Sequence, residues 1–264
     1  MTTEHLTHHR HATGATQLAN KVPEVTVYFW VIKVLTTGMG ETASDLLAKK
    51  LGPIPAVGLG GLALVAALVL QLTARRYVAW IYWTAVVMVS VFGTMAADVL
   101  HVGLGVPYTI STPFFMVALA AVFALWYASE KTLSIHSIRT RRREIFYWAT
   151  VLATFALGTA AGDLSATIGL GYLGSAVLYA VAIAVPAVMH KWGALNAVAA
   201  FWAAYVITRP LGASVADWMA LSHARGGLAL GLGPVTLSWT VAIIGFVGYL
   251  AVSRGDVRDA ERLA

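Results

Sequence analysis

Long apolar stretches alternate with short polar segments along most of the chain. Eight of these stretches contain about twenty residues, which is enough to cross a hydrocarbon layer roughly 30 Å thick as an α-helix. The pattern therefore predicts an all-α integral membrane protein with eight transmembrane helices. The predicted spans are residues 26–47, 55–73, 78–100, 109–129, 144–167, 171–190, 195–220 and 230–252.

The odd-numbered predicted helices carry the same sequence pattern. Each contains a tryptophan, a glycine ten residues later and an aspartate fifteen residues later. A match of three residue types in four copies without internal gaps indicates a tandem two-helix repeat. The repeated residues are Trp30, Trp83, Trp148 and Trp202, then Gly40, Gly93, Gly158 and Gly212, then Asp45, Asp98, Asp163 and Asp217.

Each predicted repeat crosses the membrane twice, so every copy starts from the same side. The repeats are therefore predicted to be parallel and related by a pseudo-fourfold axis along the membrane normal. The even helices carry no acidic residue within their central apolar runs, so we expect them to form an outer layer around the odd helices. The expected divisions are a polar tail at 1–22, a transmembrane domain at 23–252 with repeats at about 25–75, 77–130, 143–191 and 195–252, and a tail at 253–264.

A polar stripe runs along one face of the odd helices toward their aspartates. Positions three, seven, eleven and fifteen residues after each tryptophan share this face, because side chains four residues apart on a helix are neighbours. A charged side chain at the centre of a membrane helix costs roughly 2.5–3.5 kcal/mol on insertion scales unless it faces protein or water. We therefore expect the four aspartates to form a ring inside the bundle. The stripe also supplies Glu41, Thr94 and Thr159, with His101 one turn beyond Asp98, and the basic residues Lys33 and Arg209.

Acidic charge exceeds basic charge on these predicted inner helices. Five acids face Lys33 and Arg209, so three negative charges lack a partner. A purely structural network would be expected to pair its buried charges, whereas a bound cation, or protons shared among the carboxylates, would supply the balance. Carboxylate and hydroxyl oxygens favour divalent ions such as Mn²⁺, Mg²⁺ or Ca²⁺. The sequence therefore favours a transporter or channel for a cation, with a divalent metal such as manganese as substrate, the four aspartates as its ligands, proton exchange at these aspartates and no resident cofactor assigned.

Simpler interpretations apply to each of these residues. The aspartates can cap their helices, the two basic residues can serve only to balance charge, and the glycines can be packing positions. The tryptophans can be anchors at the membrane interface and packing residues. A different class of function is a membrane-embedded enzyme or sensor that uses Asp98 and His101, three residues apart, as an acid–base or metal pair. The sequence contains no HExxH motif and no phosphate-binding loop motif, so we do not expect an enzyme.

The distribution of basic residues predicts the orientation of the chain. Most of the 18 Lys and Arg residues, including the run from Arg139 to Arg143, lie on one side of the eight spans. By the positive-inside rule we expect both termini in the cytoplasm, and the net charge of +6 needs no nucleic acid as a partner. The expected partners are the lipid bilayer, a small cation and protons, with a homo-oligomer left open. The tail contains His5, His8, His9 and His11, which we interpret as incidental residues of a solvated segment, with metal binding as the alternative.

The repeat resembles a known family. The unit built around the four tryptophans, with an opening at residues 21–30 followed by 40–45, is similar to a family of bacterial membrane proteins defined by a repeat of unknown function in four copies. The resemblance covers roughly residues 21–252. It implies eight helices in a bacterial cytoplasmic (inner) membrane, and it brings no established activity.

Overall fold

The computed structural model of the protein describes residues 20–256. Within that range the chain forms nine α-helices and no strand. The helices are α1 (Val27–Leu51), α2 (Pro53–Thr73), α3 (Ala79–Asp98), α4 (Tyr108–Glu130), α5 (Arg141–Ser165), α6 (Gly171–Ala182), α7 (Ala184–Lys191), α8 (Ala197–Ala220) and α9 (Leu232–Ser253).

Six helical segments of the described chain are long and apolar enough to cross a membrane. They contain seven of the eight predicted spans, because the segment Arg141–Lys191 continues through α5, α6 and α7 over 51 residues. A straight helix of that length would measure about 77 Å, and positive φ angles at Gly169 (116°) and Gly171 (64°) break its course. The remaining predicted span lies in α1, which is not among the six. The described chain is therefore all-helical, as predicted, with six segments long and apolar enough to cross a membrane against the eight that the sequence predicts.

Polar caps and turn residues set the ends of several helices. The side chains of Thr26, Thr140 and Asn196 accept backbone hydrogen bonds at the starts of α1, α5 and α8, as is usual for residues at this position. Gly52 follows α1 with a φ of 85° and Pro53 begins α2. A glycine after one helix and a proline at the first position of the next allow the chain to reverse within two residues.

Four helices pack into a closed inner ring. Helix α1 packs against α3 and α8, and α5 also packs against α3 and α8, so the contacts return to the starting helix. The residue before each repeat tryptophan contacts the tryptophan of the next inner helix. These pairs are Phe29 with Trp83, Tyr82 with Trp148, Tyr147 with Trp202, and Phe201 with Trp30. The four tryptophans therefore lie together at one end of the inner ring, which we call the tryptophan end, and the opposite end is the aspartate end.

The four repeat tryptophans, which the sequence indicates as interfacial anchors and packing residues, have mostly buried side chains. Trp83, Trp148 and Trp202 are buried, and only Trp30 is half-buried. Their rings pack against aromatic side chains of neighbouring inner helices, which removes them from the outer surface. These residues therefore contribute to the core of the ring.

Glycines bring the inner helices into close contact. The repeat glycine of each inner helix faces the next helix at a position seven residues after its tryptophan. A Cβ atom added to any of the four glycines would lie 2.6 Å or less from a side-chain atom, closer than real Cβ atoms approach. Glycine therefore permits this spacing of the helices. The contacts pair Gly40 with Ser90, Gly93 with Phe155, Gly158 with Arg209, and Gly212 with Thr37.

The other helices cover the inner ring from outside. Helix α2 packs on α1 and α3, α4 on α5, α6 and α7 on α8, and α9 mainly on α1. Their outward faces carry exposed apolar side chains, for example Ile54, Val117, Val181 and Val252. A continuous apolar exterior of this kind suits contact with lipid. The polar stripe predicted from the sequence lies inside the ring, on the four inner helices α1, α3, α5 and α8.

Candidate functional site

A buried ion pair crosses the centre of the inner ring. Arg209 of α8 donates a hydrogen bond from Nη2 to Glu41 Oε2 of α1 over 2.6 Å. The same nitrogen donates to the hydroxyl of Thr94 on α3 and, over 2.6 Å, to the hydroxyl of Thr159 on α5. Arg209 Nη1 also donates to the Thr37 carbonyl oxygen over 3.1 Å. Each of the four inner helices thus contributes one side chain to a central network of Arg209, Glu41, Thr94 and Thr159.

The repeat register explains why these side chains meet. Glu41, Thr94 and Thr159 each stand eleven residues after the tryptophan of their own helix. The fourth helix has the small, buried Ala213 at this position. Arg209 starts one turn nearer the tryptophan end, and its long side chain extends into the layer that the smaller residue leaves open.

A second buried basic side chain lies on the tryptophan side of the central network. Lys33 is 0% exposed, and its Nζ lies 4.0 Å from the ring centroid of Phe155 and 4.3 Å from that of Tyr205. Within residues 20–256 this nitrogen has no hydrogen-bond partner. Aromatic faces stabilise a desolvated cation by about 2 kcal/mol. Of the two basic residues predicted to balance charge, Arg209 is the one that contacts Glu41.

The four repeat aspartates lie beyond the central network, at the aspartate end. Every one of these carboxylates interacts electrostatically with Glu41. Asp45 and Asp163 also act on both of the other aspartates. Asp217 is buried, whereas the other three are half-buried. We call this group, Asp45, Asp98, Asp163 and Asp217, the aspartate vestibule.

The aspartate vestibule contains more carboxyl groups than basic groups. In the described part of the chain none of its four carboxylates forms an ion pair. The cations that act on it are Arg209, already bonded to Glu41, and the exposed Arg225. Tyr108 and Tyr172 also interact electrostatically with Asp163. Five carboxylates therefore share two guanidinium groups.

His101 is held away from an acid–base pairing with Asp98. Its Nδ1 lies 3.0 Å from the Val106 carbonyl oxygen, and its Nε2 lies 3.3 Å from the Ser111 hydroxyl. The ring stacks on Tyr108 with the centroids 3.9 Å apart. These contacts position His101 in the turn between α3 and α4, and no hydrogen bond joins it to Asp98 among the described residues.

The predicted metal centre is not assembled in the described chain. Residues 20–256 contain no group of three or more His, Cys, Asp or Glu side chains placed to hold a metal ion. Direct ligands must approach one ion to about 2.0–2.6 Å, whereas the repeats distribute the four carboxylates over four helices around the ring. The predicted metal-binding histidines of the tail, His5, His8, His9 and His11, lie outside the described residues.

A buried ion pair that the sequence analysis missed closes the tryptophan end. Lys21 is 2% exposed and donates from Nζ to Glu144 Oε2 over 2.6 Å and to the Leu72 carbonyl oxygen over 3.1 Å. Gln71 donates to the other oxygen of Glu144 over 3.1 Å. Lys21 was assigned to a polar tail because nothing in its local sequence indicates a partner 123 residues away.

The inner ring, its apolar outer layer and its central network define an all-helical membrane protein built from tandem repeats. A family model described as Repeat of Unknown Function (DUF347) matches residues 28–77, 81–132, 146–193 and 200–256. The chain belongs to this family, as the resemblance of the repeat predicted. Neither a search of curated proteins nor a search of solved structures gives a match.

Proposed function

We propose that this protein is a cation transporter of the bacterial cytoplasmic membrane that takes up its ion at the aspartate vestibule. Eight crossings are formed by α1 to α5, the interrupted pair α6 and α7, α8 and α9, as four parallel repeats about a pseudo-fourfold axis. The cyclic glycine contacts and aromatic contacts of the inner ring support this symmetry. With both termini in the cytoplasm by the positive-inside rule, the aspartate vestibule faces outward.

The observation that carries this proposal is the group of four carboxyl groups in the aspartate vestibule that form no ion pair in the described part of the chain. A carboxylate in a membrane span is costly, and it is retained chiefly where it marks an ion pathway. Neighbouring carboxylates in a partly enclosed space concentrate cations and titrate as a coupled group. A cation that binds there would therefore displace protons, which is the basis of the proposed exchange.

A hydrated divalent ion is the substrate that fits these carboxylates best. Magnesium-like ions dehydrate reluctantly and keep several waters while one or two carboxylates bind them. Water between ion and protein suits carboxylates that lie on separate helices and do not form a direct coordination sphere. We propose a divalent metal such as manganese, because carboxylate and hydroxyl oxygens suit it.

The central network forms the barrier beneath the aspartate vestibule. Arg209 occupies the axis of the ring and opposes entry of a second positive charge, while its bond to Glu41 holds it in place. Transport requires this pair to separate so that the ion can reach Glu41, Thr94 and Thr159. The structure then corresponds to a closed state of the transport cycle.

Ion uptake into proteoliposomes tests the proposal. Wild type, Asp98→Asn and Asp163→Asn are compared for Mn²⁺, Mg²⁺, Ca²⁺ and Zn²⁺, with a pH-sensitive dye inside the vesicles. Glu130→Gln is the matched control, because this acid pairs with Arg142 and Arg143 at the tryptophan end. We expect uptake with a pH change in wild type and control, and uptake reduced about tenfold or more, equivalent to about 1.4 kcal/mol, in both aspartate variants. Folded wild type without flux of any ion, or full flux in both variants, would reject the proposal.

A further inference from the structure

A cavity of about 470 Å³ opens at the tryptophan end between α1, α7 and α8. Trp30 and Phe201 form its aromatic wall, and Ile183 lies opposite on the interrupted outer helix. The linker at 133–136 closes a further side, and the lining is almost entirely apolar. Volumes of 300–1,000 Å³ with apolar walls and a few polar groups are typical of small-molecule sites.

The cavity exists because the outer helix breaks beside it. The chain leaves regular α-helix at Ile183, and Pro186 follows in the first turns of α7. Proline removes a helical hydrogen bond and displaces the helix axis. Helix α7 packs mainly against α8 and α6, so it covers only one inner helix. The outer helix α2, by comparison, packs on two inner helices, α1 and α3. The side of α7 that faces α1 is therefore left open.

Trp30 lies where covering by an outer helix is missing. Trp202 is covered by Trp126 and Phe123 of α4, with ring centroids 5.8 and 5.2 Å away. In the described chain, the aromatic rings that contact Trp30 are Phe29 and Phe201, and both belong to inner helices. Next to Trp202, side chains of the outer helix α4 fill this place, whereas next to Trp30 the same place is the cavity.

We propose that one acyl chain of an anionic phospholipid fills this cavity and that its phosphate lies at the first turn of α8. Ala197 and Val198 of this turn line the cavity. The first N–H groups of a helix have no partner within the helix and favour an anion. The Asn196 side chain accepts from the Ala199 N–H, which leaves the N–H groups of Ala197 and Val198 for the phosphate. The phosphate therefore meets these groups at the end of an otherwise apolar cavity.

Basic side chains at the rim select an anionic headgroup. His190 lines the cavity, and the exposed Lys191 is its neighbour at the end of α7. His136 also lines the cavity, with its Nε2 3.5 Å from Glu24, and His190 Nδ1 lies 2.9 Å from the Leu195 carbonyl oxygen, so the positive charge at the rim comes from Lys191. In the proposed orientation this rim faces the cytoplasmic leaflet, where anionic lipids attract basic residues. The lipid site itself requires only the membrane fold and is independent of cation transport.

Native mass spectrometry of the full chain tests the site, with phosphatidylglycerol and phosphatidylcholine of identical chains added to delipidated protein. Ala204→Phe fills the cavity from α8, and Ala66→Phe adds the same ring to the exposed face of α2 as a control. We expect wild type and control to retain phosphatidylglycerol about tenfold more strongly than phosphatidylcholine, by about 1.4 kcal/mol. Ala204→Phe should lose this bound lipid while keeping its helical circular dichroism.

Two further variants distinguish binding of the acyl chain from recognition of the headgroup. His190→Gln with Lys191→Gln should retain lipid but lose the preference for phosphatidylglycerol. Phosphatidylglycerol with brominated acyl chains should quench part of the tryptophan fluorescence, and Trp30→Phe should remove that part. Equal retention of both lipids by wild type, or unchanged retention and quenching in Ala204→Phe, would overturn the proposal. Neither result depends on whether the protein transports an ion.

Discussion

Arg209 and Glu41 join the last inner helix to the first through a contact of 2.6 Å between two buried side chains. They are 168 residues apart in the chain, so they meet only when α8 packs against α1 and closes the inner ring. Removal of one partner leaves the other as an unpaired buried charge. This pair should therefore be the most sensitive point of the inner ring to substitution.

We expect Arg209→Met and Glu41→Gln each to reduce the free energy of unfolding by about 3–5 kcal/mol, because each leaves one buried charge or donor group without its partner. The double variant should lose clearly less than the sum of the two. A double-mutant cycle measured by denaturant unfolding in detergent checks this coupling. Strict additivity would mean that the two side chains do not stabilise each other.

Lys33→Met should have the opposite effect to Arg209→Met. Among the described residues the buried Lys33 nitrogen has no hydrogen-bond acceptor, and methionine keeps a flexible chain of similar shape beside Phe155 and Tyr205. Replacement of a buried amine without an acceptor should raise the melting temperature. Lys50→Met, at an exposed site, is the control for loss of one positive charge. A fall in melting temperature as large as that of Arg209→Met would contradict the prediction, because it would mean that the Lys33 nitrogen stabilises the ring although it has no hydrogen-bond partner among the described residues.

Gly158→Ala should destabilise the protein much more than Gly245→Ala. The added Cβ at Gly158 would lie 2.2 Å from Arg209 Cγ, whereas nothing lies within 4 Å of the site at Gly245. Overpacking of a tight contact costs typically about 1–3 kcal/mol, while alanine in an open helix position gains up to about 1 kcal/mol over glycine. Melting temperatures of the two variants check the prediction. Equal melting temperatures would show that the inner helices can move apart to accommodate the added Cβ atom without loss of stability.

Because of Tyr77, the stability of the folded protein should depend on pH in the alkaline range. Burial, and then the nearby carboxylate of Asp256, raise the pKa of Tyr77 well above its ordinary value of 10.0. The unfolded chain therefore loses this proton first, so stability is complete below pH 10.0 and falls as the pH rises above it. Tyr77→Phe should show a smaller loss of melting temperature between neutral pH and the alkaline range. Tyr127→Phe, at an exposed site, should behave like wild type.

Lys21 should resist amine-specific labelling in the folded protein. Its ammonium is 2% exposed and bonded to Glu144, whereas Lys131 is exposed at the same end of the ring. Acetic anhydride labelling followed by peptide mass spectrometry should modify Lys131 first. Glu144→Gln removes the ionic partner and should increase modification of Lys21 while leaving that of Lys131 unchanged. Equal labelling of both lysines in wild type would show that residues 20–22 leave the ring in solution.

The central network shows what the sequence can and cannot predict. The repeat register assigns Glu41, Thr94 and Thr159 to one layer, and their side chains do meet in the structure. The register assigns Arg209 to a different layer, one turn nearer the tryptophan end. The register gives the position of the Cα atom along the helix and does not show how far the side chain extends. Only the packed ring shows that Ala213 leaves room for the guanidinium.

The environment of Lys33 could not be predicted for a similar reason. Helical periodicity places it on the polar stripe with Glu41, two turns away on the same helix. The rings that contact it belong to Phe155 and Tyr205, on two other helices. Which side chains face each other across a bundle depends on helix rotation and separation, and the close glycine contacts that set these quantities are long-range.

The backbone N–H of Glu24 donates to the carbonyl oxygen of Asp256 over 2.9 Å, so the chain enters and leaves the bundle at the same place. The contacts between α8 and α1 follow the same pattern as those between consecutive repeats. Packing alone therefore does not determine which repeat comes first. A circular permutant with residues 24 and 256 joined by a short linker and new ends in the loop between α4 and α5 should enclose the same ring. Such a permutant would separate the order of the repeats in the gene from their order around the inner ring.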